Sequence, residues 1–380
     1  MSLMRFKCVC KRWNILIRYP KFAKLHHARS LDRPGGTSLL ITLKHPLSEL
    51  HFMFIDHKGN PIRQHLRAPN FDQFSQVING LVCLSSHNCV SLLNVYTHEI
   101  ITLPTSNFEL CDGNRSIHHS YLLGFNPLAN QYKVLCICTV EELGYVIDYG
   151  FEVYTLGSSH EWKKINPPSN YKFSSPFYSH KQCICVNGVI YWIQNSDQDY
   201  NQKYLELFDL KDEKFHGIRF QGGVLSGPVN LIQVRGTLAI AHPPKQRSDG
   251  GFDIELWILE SYRHPVLKKE NIIVPGTMGI YRPYPAGFIH RTGEILVMDN
   301  ILTIPSRFLL YDLCSKKCGD STTYTHCLLR FHDSQALAGE WSRFSHNVFK
   351  KGFDLLKYCI SDQVENILPL KSMVTGFSLL

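Results

Sequence analysis

This 380-residue sequence predicts a mainly β fold, a β-propeller of small repeated sheets behind a short α-helical segment. Three observations carry the prediction. Beyond about residue 36 the chain runs in short segments rich in Val, Ile, Leu, Tyr, Phe and Trp, punctuated by Gly, Pro, Asn and Asp, as strands and tight turns require. A dozen or more such segments are present, too many for one small sandwich. They also recur as a unit: a turn glycine, an apolar strand, a loop, and a second strand that ends in an Asp- or Asn-centred turn.

Taken from the N-terminus, Leu3, Phe6, Val9, Cys10, Trp13 and Leu16 or Ile17 fall at intervals of three and four, so "MSLMRFKCVCKRWNILIRYP" predicts a helix with one apolar face. Pro20 ends it. "KFAKLHHARSLDRPGG" offers a further helical turn before a Pro-Gly-Gly break, which divides the chain into helices at 1–30, a linker at 31–36 and a β domain at 37–380. Within the β domain, "TSLLITLKH", "LVCLSS", "YLLGF", "YKVLCICTV", "FEVYTL", "CICVNGVIYWI", "YLELFDL", "LAIAH", "IELWILE", "GEILVMD" and "FLLYDL" read as strands. The repeat shows as Gly188 and Asp209, Gly236 and Trp257, each 21 positions apart, and Gly293 and Asp312, 19 apart, with "INGLVCLSS" and "VSLLNVYTHEI" as a shorter copy. At roughly 45 to 55 residues per kelch-like blade, about 340 residues make about six blades, with five to seven fitting the length. Closure would pair "TSLLITL" with a late strand such as "SMVTGFSLL", removing exposed edges.

Composition narrows the function classes. The chain is 44% hydrophobic and 19% charged, with a mean hydropathy of -0.13, which is ample for a buried core. Seven bases and no acid lie in residues 1–24, leaving 33 bases against 32 acids elsewhere. The net charge of +8 therefore belongs to the N-terminal segment, and the body lacks the basic surface of a nucleic-acid binder. No run approaches the roughly 18 apolar residues of a membrane span, and bases interrupt any secretory leader. Thirteen cysteines without framework spacing read as free thiols of a reducing compartment, cytosol or nucleus.

Catalytic and metal signatures are not evident in the sequence. It contains no G-x-S-x-G, G-x-x-x-x-G-K-[ST], H-E-x-x-H or G-x-G-x-x-G. Asp148, Glu152, Asp209, Glu255 and Asp312 sit in or beside predicted strands, where turn and edge roles are expected. Cys314, Cys318, His326 and Cys327 offer zinc-ligand types, but adjacent His326 and Cys327 would point to opposite faces of a strand. Cys136 with Cys138, and Cys183 with Cys185, share a strand face and read as small buried hydrophobes. His118 and His119 read as a solvated loop. No catalytic residue, metal or cofactor is therefore assigned.

"SLMRFKCVCKRWNILIRYPKFAKLH" resembles the second half of a plant F-box: Ser-Leu, Arg-Phe, Cys-Val-Cys-Lys, Trp and Pro-x-Phe in order. "INGLVCL", "LLNVYTHEIITLP", "LLGFNPLANQYKVL", "FEVYTLGSSHEWKKI", "CVNGVIYWI" and "LELFDLKDEKF" resemble the F-box-associated domain of the same proteins, a kelch-like propeller. The resemblance runs from about residue 2 to about residue 315. It implies a non-catalytic substrate receptor of an SCF-type ubiquitin ligase, with a Skp-family adaptor, through it a cullin scaffold, and a target protein as partners, and neither nucleic acid nor membrane. Leu3, Phe6, Val9, Cys10, Trp13 and Leu16 would then lie in or beside the adaptor-facing core. The family's Leu-Pro start and first Leu/Ile-rich helix have no counterpart ahead of Met1, so the F-box reads as N-terminally truncated. A decoy propeller that binds without recruiting the ligase, and more distantly a kelch-type enzyme, are the alternatives. A helix docked on its own propeller and a mitochondrial leader are the alternatives for the N-terminal segment. For target capture, Phe177, Tyr178, Tyr281, Arg282 and Tyr284 lie in segments read as loops and have the amphipathic character of binding hot spots.

Overall fold

The computed structural model describes residues 9–323 except 20, 23–24, 27–28, 30–36, 46–48, 56–61, 63–65, 72, 87–88, 109–114, 144, 159–160, 168–182, 196–202, 221–223, 228, 279, 281–282, 290–291, 300–306 and 320–321, together with 358–364 and 370. A short helix, α1 (Lys11–Arg18), precedes the strands. Six antiparallel sheets follow, the number of blades the sequence predicts. Blade 1 contains β1 (Thr37–His45), β2 (Glu49–Ile55) and β3 (Leu66–Pro69). Blade 2 contains β4 (Gln73–Phe74), β5 (Leu81–Ser86), β6 (Cys89–Asn94) and β7 (Ile100–Thr102). Blade 3 has the longest strands, β8 (Arg115–Asn126), β9 (Gln131–Glu142) and β10 (Tyr145–Thr155), with the short β11 (Lys163–Lys164). Blade 4 is β12 (Ile184–Val186), β13 (Val189–Asn195), β14 (Lys203–Asp209) and β15 (Lys214–Ile218). Blade 5 is β16 (Asn230–Val234), β17 (Thr237–Ala241), β18 (Lys245–Gln246), β19 (Phe252–Ser261) and β20 (Val266–Val274). Blade 6 is β21 (Pro283–Ile289), β22 (Glu294–Asp299), β23 (Arg307–Asp312), β24 (Lys317–Cys318) and β25 (Thr322–Thr323).

A late strand, β26 (Tyr358–Val364), pairs with β1 and completes blade 1. The sequence pointed instead to "SMVTGFSLL", which lies outside the described residues. Ser361, Asp362 and Gln363 make β26 too polar to read as a strand by composition, and only the available edge of β1 selects it.

Turn chemistry explains why the repeat was visible. The first hairpin of blades 2, 4 and 5 uses two successive left-handed residues: Asn79 and Gly80 (φ 49° and 78°), Asn187 and Gly188 (49° and 81°), Arg235 and Gly236 (51° and 78°). This is the geometry a two-residue hairpin needs to match strand twist. An Asx side chain caps the turn of the later hairpin in blades 2, 4 and 6, and of the first hairpin in blade 3. Asn94, Asn126, Asp209 and Asp312 each accept, through Oδ1, the backbone N–H two residues on, at 2.9, 3.0, 2.8 and 2.8 Å. Four residues after each Asx comes another left-handed residue: His98, Asn130, Glu213 or Lys316. Blade 5 departs from the expected spacing. Trp257 lies within β19 opposite Ile240, and the turn falls at Ser261, because β18 is inserted before β19.

The chain divides into two compact units. One holds blades 2, 3 and 4, and its cores are layers between neighbouring blades. Val134, Cys136 and Cys138 of β9 pack toward Leu81 and Leu92 of blade 2, while the intervening Leu135 and Ile137 pack toward Trp192 and Phe208 of blade 4. Both faces of β9 are thus buried, so "VLCIC" reads as one apolar run instead of an alternation. The other unit holds blades 1, 5 and 6. Ile254, Leu256 and Ile272 pack with Ile295, Val297 and Tyr311, and Leu39, Met53 and Ile55 pack with Ile289 and Leu296. Among the described residues, no helix is long and apolar enough to cross a membrane.

Candidate functional site

Among the described residues, the helix of the N-terminal apolar stripe spans Lys11–Arg18 and does not run through Cys10. Cys10 is extended (φ -160°, ψ 165°) and provides no side-chain cap, so α1 begins at Lys11, and Leu3 and Phe6 lie outside the described residues. Val9 and Cys10 therefore precede the helix. Cys10 is an extended N-cap because its carbonyl, not its side chain, starts the ladder by accepting Asn14 N–H at 3.1 Å. Eight residues are too few for a stable isolated helix, and the anchor is Ile17, which is fully buried. The rest of the stripe faces outward: Trp13 is 42% exposed, Leu16 44%, Ile15 69% and Val9 65%. Lys11 and Arg12 are exposed beside them. Trp13 and Leu16, three apart, share one side of the helix, which combines an aromatic, an aliphatic and adjacent cations.

Of the residues expected to capture a target, Phe177, Tyr178, Tyr281 and Arg282 lie outside the described residues. Tyr284 does not lie in a loop. It is in β21, opposite Met298, and packs partly against the Leu39 and Met53 cluster. Pro283, Pro285 and Gly287 made this stretch read as a loop. A strand survives there because β21 ends the order β21-β22-β23-β24, where a missing N–H is tolerated, and because the register shifts between Pro285 and Gly287.

The carboxylates that sequence reading set aside have structural partners. Asp209 and Asp312 cap turns as described, and Asp148 accepts the N–H of Tyr149 at 2.8 Å. Glu152, buried, accepts Ser106 Oγ at 2.7 Å and Asn107 N–H at 3.1 Å through Oε2. Glu255 bridges Lys245 at 2.8 Å and Lys269 at 3.2 Å, and the Lys245 hydrogen bond leads the effects that lower its pKa. Glu213 joins Lys133 at 2.7 Å and Lys163 at 2.5 Å. Burial alone would raise the Glu213 pKa; the two ammonium groups outweigh it and bring it below the usual carboxylate value.

Of the zinc-type residues near residue 320, His326 and Cys327 lie outside the described residues. Cys314 accepts from Arg235 at 2.9 Å, and Cys318 donates to the Ile273 carbonyl at 3.3 Å. Cys136, Cys138 and Cys185 are buried, as expected of small hydrophobes, and Cys183 is half-buried. His118 and His119 are not in a loop. Both lie on β8, paired with Thr139 and Cys138 of β9, because the polar start of β8 continues the ladder that Tyr121 and Leu122 begin. The pairing of His119 with Cys138 joins residues 19 apart and has no local sequence signal.

Comparison with known proteins agrees with this architecture. Residues 38–323 match the family described as the F-box associated beta propeller domain. An F-box protein of Arabidopsis thaliana is 28% identical over 306 residues, covering 76% of this chain and 74% of that protein. An F-box/LRR-repeat protein of the same plant is 25% identical over 302 residues, covering 72% and 65%. An F-box/kelch-repeat protein, also from Arabidopsis thaliana, is 26% identical over 334 residues, covering 79% and 73%.

Proposed function

We propose, from the premise that this chain belongs to the F-box-associated β-propeller family, that it is the substrate-recognition subunit of an SCF-type ubiquitin ligase. The observation that carries the reading is the exposed side of α1, with Trp13 and Leu16, ahead of a family propeller that spans residues 38–323. That side of the helix is the adaptor-binding element, with Val9 and Cys10 just ahead of it and Leu3 and Phe6 as further adaptor contacts in this scheme. A Skp-family adaptor covers the stripe and links the chain to a cullin scaffold. The propeller holds a target protein, with Phe177, Tyr178, Tyr281, Arg282 and Tyr284 as the candidate contacts.

The chain itself performs no covalent step in this scheme. Ubiquitin transfer occurs on other subunits, and the receptor acts by proximity: joining target to ligase raises the effective concentration of target lysines near the charged ubiquitin carrier, into the millimolar range for a short tether. The occupied carboxylates of Asp209, Asp312, Glu152, Glu213 and Glu255 accord with a binding role.

Co-expression of the full chain with a Skp-family adaptor, followed by size-exclusion chromatography, tests the proposal. A one-to-one complex that the Trp13→Ala and Leu16→Ala double substitution disperses is the expected result. A well-folded chain that elutes apart from the adaptor at micromolar concentration would leave a propeller that binds without the ligase.

A further inference from the structure

Blade 3 brings three metal-ligating side chains to one face. Cys136 and Cys138 alternate with Ile137 on β9 and so point the same way, with Sγ atoms 3.5 Å apart. His119 on β8 is the cross-strand partner of Cys138. One ligand atom from each of the three lies within 4.8 Å of the other two. Both thiols are buried. Both His119 ring nitrogens are shielded from solvent and make no regular hydrogen bond, an expensive state for a buried imidazole.

We propose that His119, Cys136 and Cys138 form a binding site for a thiophilic d10 metal ion, Zn2+ in the first instance or Cu+. Around tetrahedral zinc, bonds of about 2.0 to 2.3 Å place ligand atoms about 3.5 to 3.8 Å apart. The sulfurs already have that separation, and a small rotation of the His119 ring closes the remainder. Two thiolates and a neutral imidazole balance a divalent ion, so the filled site buries no net charge. Ser106 Oγ, 3.7 Å from Cys138 Sγ, supplies an oxygen at the fourth position and is itself oriented by Glu152 at 2.7 Å.

The surroundings are built for such a site. Gly150 of β10 lies opposite Cys138, and a Cβ there would come within 2.1 Å of the Phe108 ring. The missing side chain lets Phe108 cover the sheet beside the thiols and exclude water. The thiols are also electronically unequal. Cys136, together with His119, holds Cys138 below the ordinary thiol range against the effect of burial, while burial first and then Cys138 push Cys136 upward.

The test uses the full chain, stripped with a chelator and titrated with Co2+ as a spectroscopic stand-in for Zn2+. One equivalent should produce a thiolate-to-cobalt charge-transfer band that Zn2+ displaces. His119→Ala should weaken binding at least tenfold, Cys136→Ser with Cys138→Ser should abolish the band, and Cys314→Ser with Cys318→Ser should leave it intact. Anaerobic competition with a cuprous chelator assigns the ion: tight Cu+ uptake lost in the Cys136/Cys138 variant, without a cobalt band, identifies Cu+. A band or uptake that persists in that variant, or the absence of both in the unaltered protein, would overturn the proposal. Because the buried serine substitutions can unfold blade 3, X-ray absorption on the metal-loaded unaltered chain provides a second measurement. Two sulfurs and one nitrogen are expected, and fewer than two sulfurs would overturn the site.

Discussion

Replacing Trp13 by Ala separates a binding surface from a packed one. Trp13 is 42% exposed. A tryptophan presents up to about 250 Å², so roughly 100 Å² is available for a partner to cover. At about 25 cal/mol per Å² that area is worth about 2.5 kcal/mol, or about sixtyfold in Kd. Ile17, four residues along the same helix, supplies the control. It is fully buried, and Ile17→Ala should instead lower stability by about 2 to 5 kcal/mol in the element it anchors. The assay is titration calorimetry of each variant against a purified Skp-family adaptor, paired with thermal unfolding of the chain alone. Trp13→Ala is expected to lose affinity about sixtyfold with a smaller fall in melting temperature than Ile17→Ala, because the indole is 42% exposed whereas Ile17 is fully buried. An unchanged Kd for Trp13→Ala, or a melting loss as large as that of Ile17→Ala, would refute the assignment of this side of the helix to a partner.

Three further outcomes follow from the blades. Gly188→Ala places a Cβ at φ +81°, 3.3 Å from Pro127 Cδ, and should cost about 1 to 2 kcal/mol in urea unfolding. Trp192→Ala removes one of the largest fully buried side chains, from between blades 3 and 4, and should cost about 3 to 5 kcal/mol, read as a fall in the denaturant midpoint. The Glu213 carboxylate has its pKa lowered on folding by Lys133 and Lys163, so its contribution is present above the unfolded value of 4.5 and is lost as pH falls through the folded value. Glu213→Gln should therefore reduce stability at pH 7 and flatten the acid limb of a stability-versus-pH curve; an acid limb identical to that of the unaltered chain would contradict the pairing.

Much of the blade pattern is local and so was legible. Strands such as Leu81–Ser86 were bounded correctly by composition alone, and Asn187-Gly188 marks its hairpin because few residue pairs tolerate two left-handed positions in succession. Legibility failed where a neighbour overrules composition. Pro283–Ile289 is a strand because it occupies a sheet edge that needs fewer N–H donors, and Tyr358–Val364 is one because β1 offers it a free edge. The stripe shows the opposite case: its 3.6-residue period runs through Cys10, but the backbone there is extended. Two adjacent histidines beside Ser116 and Ser120 look like a solvated loop in sequence, whereas the register of β8 pairs His119 with Cys138.

The sequence by itself determined the class of fold, the spacing of its turns, the near-neutral body with a basic start, and the residues of the N-terminal stripe. These depend on contacts between residues close in the chain, where φ preferences and side-chain periodicity act directly. Tertiary structure alone decided which late strand completes blade 1, which member of the stripe anchors the helix, and that His119 meets two cysteines across a strand pair. Each of those is a long-range pairing, selected by which edges and faces remain to be covered once the blades have formed.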